Sequence, residues 1–243
     1  MGKTKIFAYA LALLTSASCL QSCSNDSEDY SYLRRPTALV TVIPVNDNSF
    51  VMQLDDSTTL RPANMKASPF GAKEVRALVN FQKADVTSRA NNSILDVKIN
   101  WIDSIRTKLP VYTMGEDNDE VYGNDPIEIV KDWVTVAEDG YLTLRIRTRW
   151  GFRGAVHTIN LLTGTNPDDP SELELRHDAN GDINGRPGDA LIAFNLNSLT
   201  NANGGKTRFK LTWTSYSGKK SLEFDLAMRS QLPLDDLAYY SLQ

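Results

Sequence analysis

The chain has 243 residues, 41% hydrophobic and 23% charged, with a formal net charge of −4 and a pI near 5.3. A disordered chain would carry fewer apolar residues and more net charge, a disulfide scaffold more than the two cysteines present, and a nucleic-acid binder a basic field. What remains is an ordinary globular composition, long enough for one or two domains at roughly 150 residues each.

At the N-terminus Lys3 and Lys5 precede the apolar run Ile6–Leu14. A basic start and a short apolar run are the layout of a secretory signal peptide, and the run falls well short of the ~20 residues that a spanning helix needs. Thr15-Ser-Ala-Ser-Cys19-Leu-Gln-Ser-Cys23 follows and holds both cysteines. Small residues and a cysteine just after an apolar run resemble a bacterial lipobox, in which diacylglycerol alkylates the thiol. Two registers compete. Cys19 has Ser16 three places before it, where an aliphatic residue is usual. Cys23 has Leu20 there and Ser22 adjacent, with Gln21 an uncommon middle residue. Cys23 is therefore the favoured lipidation site, and residues 1–22 the expected lipoprotein signal peptide. The mature body would then hold no thiol and no disulfide, and its fold must rest on its core, which suffices at this size. More than one acyl chain gives stable anchoring, so the membrane is an expected partner through the N-terminal lipid anchor. Residues 23–34, with Ser24-Asn-Asp-Ser-Glu-Asp29, form an acidic tether. It resembles the tether of surface-exposed lipoproteins of the Bacteroidetes and implies an outer-membrane location; display on the cell surface and attachment on the periplasmic side both fit. Such a composition also makes a plain solvated leash.

From Leu33 onward the apolar pattern has period two. Strands are expected in Ala38–Ile43, Phe50–Leu54, Val75–Phe81 and Leu95–Trp101, the last with Leu95, Val97, Ile99 and Trp101 on one face. About five short strands within residues 35–107 fit a small OB-like β-barrel. Residues 108–125 carry Pro110, Gly115-Glu-Asp-Asn-Asp-Glu120 and Gly123; with little to bury, they read as a linker. Residues 126–243 offer seven further strands, at 127–136, 141–150, 155–162, 172–176, 190–196, 207–215 and 220–226, between turn-rich connectors. That is the content of a two-sheet β-sandwich domain. No helical periodicity persists beyond about two turns, which argues against an α/β architecture. The expected fold class is all-β: a small OB-like barrel followed by a β-sandwich.

Three stretches carry a family resemblance. They are the acidic lipoprotein start, Asp125–Val136 running into Asp139–Ile146, and Leu173–Asp178 running through a turn into Ala190–Leu196. Together they resemble the NigD-like lipoproteins of Bacteroides and Prevotella. The resemblance implies an N-terminal OB-like domain and a C-terminal β-sandwich over nearly all of the mature chain. The family's association with a bacteriocin locus implies an immunity role without a mechanism. No functional residue travels with the resemblance except the lipid cysteine.

The residues offer little catalytic chemistry. His157 sits in an expected strand and His177 at a strand end beside Asp178; adjacency in sequence does not make a triad. There is no G-x-S-x-G elbow, H-E-x-x-H, P-loop or G-x-G-x-x-G. A carboxylate-dependent hydrolase would need two acidic side chains about 5 to 10 Å apart across a cleft. Asp178-Ala-Asn180-Gly-Asp182-Ile183-Asn184 through Asp189 spaces oxygens as a calcium loop does. Ile183 stands where that loop needs glycine, and both flanks read as strands, so a long hairpin loop is the better reading and no metal is expected. Trp133, Trp150 and Trp213 fall in expected strands, where core packing is the ordinary role; Trp150-Gly-Phe152 at a turn is the best exposed candidate for stacking. Asp56-Ser-Thr58 and Asp103-Ser-Ile105 weakly resemble short O-glycosylation signals of exported Bacteroides proteins. The expected function is a non-enzymatic outer-membrane lipoprotein that binds a protein or glycan, with no cofactor and no nucleic acid; bacteriocin immunity is the alternative, and a hydrolase the remaining one.

Overall fold

A computed structural model of the chain describes residues 37–84, 93–151, 154–199 and 206–227. Cys23 and Cys19, and the segments expected to be a signal peptide and an acidic tether, lie outside these residues, as does Phe152.

Five strands close into a barrel in the order β1-β2-β3-β5-β4: β1 (Ala38–Asn46), β2 (Ser49–Gln53), β3 (Thr59–Pro62), β4 (Val75–Lys83) and β5 (Ile94–Ser104). The alternation read from the sequence fills its interior: Val40, Val42, Phe50, Met52, Leu60, Ala77, Val79, Val97 and Ile99 form one buried cluster. The β1–β2 hairpin turns where Asn46 Oδ1 accepts the Asn48 amide. Across the parallel β3–β5 pair, Arg61 faces Asp96 and holds it with two hydrogen bonds of 2.6 and 2.9 Å. The β4–β5 register shifts at Asn80/Phe81, a bulge that bends these two strands.

The second unit is a sandwich. One sheet runs β6 (Arg106–Lys108), β13 (Arg186–Asn195), β10 (Tyr141–Trp150), β8 (Glu128–Val130), with β9 (Val136–Glu138) also on β10. The other runs β15 (Gly218–Ala227), β14 (Lys206–Ser215), β12 (Glu172–Asp178), β11 (Thr158–Thr163), β7 (Val111–Tyr112). Leu142, Leu144, Ile146, Ile192 and Phe194 of the first sheet meet Leu161, Leu173, Leu175, Phe209 and Leu211 of the second in a single core. The chain is thus all-β with two units, as its periodicity indicates.

Two sequence readings need correction. The segment 108–125 is not an inert connector. It supplies β7 to the edge of one sheet and the short helix α1 (Asn118–Tyr122), which the buried Asn118 ties back to Thr113 and Met114. Short-range side-chain hydrogen bonds, rather than apolar periodicity, fold it. The strand expected over 127–136 is two strands with a turn between them. Asp132 Oδ1 accepts the Val134 amide, and Thr135 Oγ1 donates to the Val130 carbonyl, so local polar bonds break the ladder.

The two units share a boundary. The chain passes from β5 directly into β6, which pairs in parallel with β13. Leu39 and Ile105 pack with Ala193 there, with Leu78, Val136 and Leu191 around them. At its centre Arg76 is fully buried. It donates to Thr41 Oγ1 (2.8 Å), to Thr143 Oγ1 (3.4 Å) and to Glu138 (2.5 Å), and lies over the Tyr141 ring.

Candidate binding site at the domain junction

On the outward face of the β10–β13 ladder the cross-strand pairs run Thr143/Ala193, Arg145/Leu191 and Arg147/Asp189. The barrel covers the first pair, and both residues are fully buried. Where the barrel ends, a concavity of about 240 Å³ opens, with Leu78 of β4 on one side, Leu191 and Arg145 on its floor, and Trp133 on the turn between β8 and β9. The turn that breaks the strand is what presents this indole, 55% exposed beside a buried Val134.

The polar groups are fixed. Arg145 is held between two carboxylates, by Asp132 Oδ2 at 2.5 Å and Asp189 Oδ2 at 2.7 Å. Arg147 grips the same Asp189 with bonds of 2.6 and 3.0 Å. Hydrogen bonds from Arg147 above all, and from Arg145, hold the Asp189 carboxyl down at about 2, and the Asp132 and Asp189 carboxylates raise the Arg145 guanidinium further. The groove offers an exposed aromatic face, an apolar floor, and a rim of ionised groups locked in place, an arrangement suited to recognition.

A second concavity, of about 340 Å³, lies on the other sheet, lined by Thr165, Glu172, Glu174, Thr212 and lysines including Lys210. Glu172 accepts from Asn166 and Lys210, which push its carboxyl below the usual range.

Residues 39–105 match the model of the NigD-like N-terminal OB domain, and residues 110–226 that of the NigD-like C-terminal β-sandwich domain. A solved structure from Parabacteroides distasonis, described as a toxin-related protein, is 30% identical over 85% of this chain and 98% of its own, with a TM-score of 0.64. The chain belongs to the NigD-like family. The fold is shared by a NigD-like immunity protein from Bacteroides caccae, 20% identical over 79% of this chain and 98% of that one, with a TM-score of 0.55. It is shared too by a Bacteroides fragilis protein described as a lipoprotein, 14% identical over 80% and 98%, with a TM-score of 0.53. No curated protein matches the chain.

The NigD-like fold distributes the sequence candidates unevenly. Trp213 is buried in the sandwich core, whereas Trp133 is exposed, against its core reading. Trp150 is turned inward: its indole N–H donates to the Gly188 carbonyl at 2.9 Å, and its ring lies 4.1 Å from that of His157. His157 stands just before β11, and His177 lies within β12. Both are buried and meet, His157 Nδ1 at 2.8 Å from His177 Nε2. Asp182 closes the chain of contacts: its Oδ2 is 3.3 Å from His157 Nε2 and accepts the Gly151 amide at 2.7 Å. A Cβ on Gly151 would lie 2.2 Å from Asp182 Oδ1, so a larger residue there would displace this carboxylate. Sequence reading missed the cluster, because its members are far apart in the chain. The spaced oxygens of Asp178–Asp189 do not converge either. Asp178 accepts the Asn180 amide, Asp182 serves Gly151, and Asp189 serves Arg145 and Arg147; among the described residues no group of side chains is arranged to hold a metal ion.

Proposed function

We propose that this NigD-like chain is a non-enzymatic lipoprotein, anchored to the outer membrane through Cys23, that binds an extracytoplasmic ligand in the groove beside Trp133. The observation that carries this reading is the 55% exposed indole on a turn pinned by Asp132, beside Arg145 and Asp189. A sugar ring or a peptide side chain with an apolar face would stack on the indole, and its donors would meet the fixed carboxylates. A general acid needs a raised pKa, whereas Asp189 and Glu172, which border the two concavities, are held below the ordinary carboxylate range by their partners. The lipobox-like segment and the neighbour described as a lipoprotein support the anchor.

Glycan arrays and peptide panels read by calorimetry test the groove. Trp133→Ala, at an exposed position, should leave the melting temperature unchanged and weaken binding by about tenfold or more, the scale of one aromatic stack; equal affinity in the variant removes the site. Labelled fatty acid should mark the wild type and Cys19→Ala but not Cys23→Ala, and the reverse pattern moves the anchor to Cys19.

A second reading, immunity, is favoured by the similarity to the toxin-related and immunity proteins. A deletion strain that becomes sensitive to a bacteriocin supports it, and unchanged sensitivity counts against it.

A further inference from the structure

Among the described residues, four of the ten large apolar side chains that stand exposed fall within thirteen positions: Leu109, Tyr112, Met114 and Val121, between 50% and 71% accessible. They sit on the segment that adds β7 to the edge of the sandwich. Scattered exposed apolar residues need no explanation, but a concentration marks a contact surface.

The segment is held in this display. Asn118, buried, accepts the Met114 amide at 2.8 Å and donates to Thr113 Oγ1 at 2.8 Å. The Tyr112 ring lies on Gly164, where an added Cβ would meet it at 2.5 Å, and Gly123 packs against Asp178. Surface side chains fixed before binding lose less entropy on association. Both carbonyls of β7 are already engaged. The Val111 carbonyl accepts from Thr163 Oγ1, and the Tyr112 carbonyl from Tyr122. A partner therefore meets the side chains and does not extend the sheet.

The charge around the patch is one-sided. Glu116, Asp117, Asp119 and Glu120 are exposed, and no Lys, Arg or His occurs from Leu109 to Val130. Arg176 reaches this edge and is spent on Asp119 and Glu174, and Lys219 acts on Asp119. No ion pair among the described residues takes up Glu116, Asp117 or Glu120.

We propose that this edge docks a cationic amphipathic helix of a partner protein, its apolar face on Tyr112, Met114 and Val121 and its basic rim on Glu116, Asp117 and Glu120. The surface is separate from the Trp133 groove, and the two stand or fall independently.

The probe is a synthetic Leu/Lys amphipathic helix, with a Leu/Glu counterpart of the same length, titrated into the full mature chain. The Leu/Lys peptide should bind, and more weakly as salt rises; the Leu/Glu peptide should not. The double variant Tyr112→Ser/Met114→Ser and the charge reversal Glu116→Lys/Glu120→Lys should each weaken binding by about tenfold or more, whereas Trp133→Ala should leave it unchanged. The reversal changes only exposed side chains, so its fold is not at stake. Equal binding of the two peptides, or binding indifferent to both double variants, overturns the proposal. So does self-association abolished by Met114→Ser, which would make the occupant a second copy, or adsorption to zwitterionic vesicles through Tyr112 and Met114, which would make it a lipid surface.

Discussion

At the scale of single residues, the His157–His177 contact shows how burial fixes protonation. The Pro126 carbonyl, 3.3 Å from His177 Nδ1, can only accept, so that nitrogen carries the proton and Nε2 is left to accept from His157 Nδ1. A second proton on His177 would break this order. Burial first, and the neighbouring charge of His157 second, push the His177 pKa below 6.5; the Pro126 carbonyl and Asp125 oppose this. The folded state therefore resists a proton that the unfolded chain takes up. Stability should be undiminished above about pH 6.5 and fall as the pH drops from there through the depressed folded value, below which this contribution levels off. Urea unfolding of the wild type and of His177→Gln between about pH 7.5 and about pH 5 measures it. The wild-type loss on acidification should exceed the variant's, whatever their absolute stabilities. Equal losses would show that His177 is not the group that titrates.

At the scale of elements, alternation made most strands legible. Tyr141–Trp150 is both the expected and the observed range of β10. The break at residues 131–135 was not legible, because Ile127–Val136 keeps its apolar spacing across the turn and only the Asp132 and Thr135 hydrogen bonds interrupt it. Trp133, and with it the groove, was hidden for the same reason. The loop from Asp178 to Arg186 shows a different kind of constraint. Composition reads it as a hairpin connection, whereas it crosses from β12 in one sheet to β13 in the other, and these two strands do not pair; the packing that closes it depends on a missing side chain. A Cβ on Gly185 would lie 1.9 Å from the Trp150 carbonyl carbon and 2.3 Å from the Gly151 nitrogen. Backbone cannot yield as a flexible side chain can, and the displaced strand end carries both Trp150 and the amide that holds Asp182. Gly185→Ala should cost about 3 kcal/mol, the upper end for overpacking. Asn184→Ala, next door and exposed, should stay within about 0.5 kcal/mol, as surface changes do. Thermal melts of the two variants decide this, and a neutral Gly185→Ala would mean that the loop can close by another path.

At the scale of the whole molecule, the family models divide the chain after residue 105 and before residue 110, yet the structure binds the halves together. Two layers hold the boundary: the small apolar cluster around Leu39, Ile105 and Ala193, and the Arg76 centre, whose partners come from both units. Sequence could not show the second layer, since Arg76 alternates along β4 as any outward-facing polar residue would. It is outward from the barrel and inward to the molecule. The ion pair with Glu138 is asymmetric: the Arg76 side chain is 0% exposed and that of Glu138 is 32% exposed. Removing Glu138 strands a buried cation, a loss of about 3–5 kcal/mol. Removing Arg76 leaves a carboxylate that water already reaches. Glu138→Ala should therefore destabilise the chain more than Arg76→Met, which keeps an apolar stem in the same space. If the centre couples the two units, hydrogen exchange in the wild type should report one opening free energy for the slowest amides of barrel and sandwich, and Glu138→Ala should separate them. The opposite ranking of the two variants would mean that Arg76 finds another counter-charge or solvent once Glu138 is gone. An unchanged single opening in Glu138→Ala would leave the apolar cluster and the continuous β5–β6 chain as what joins the domains.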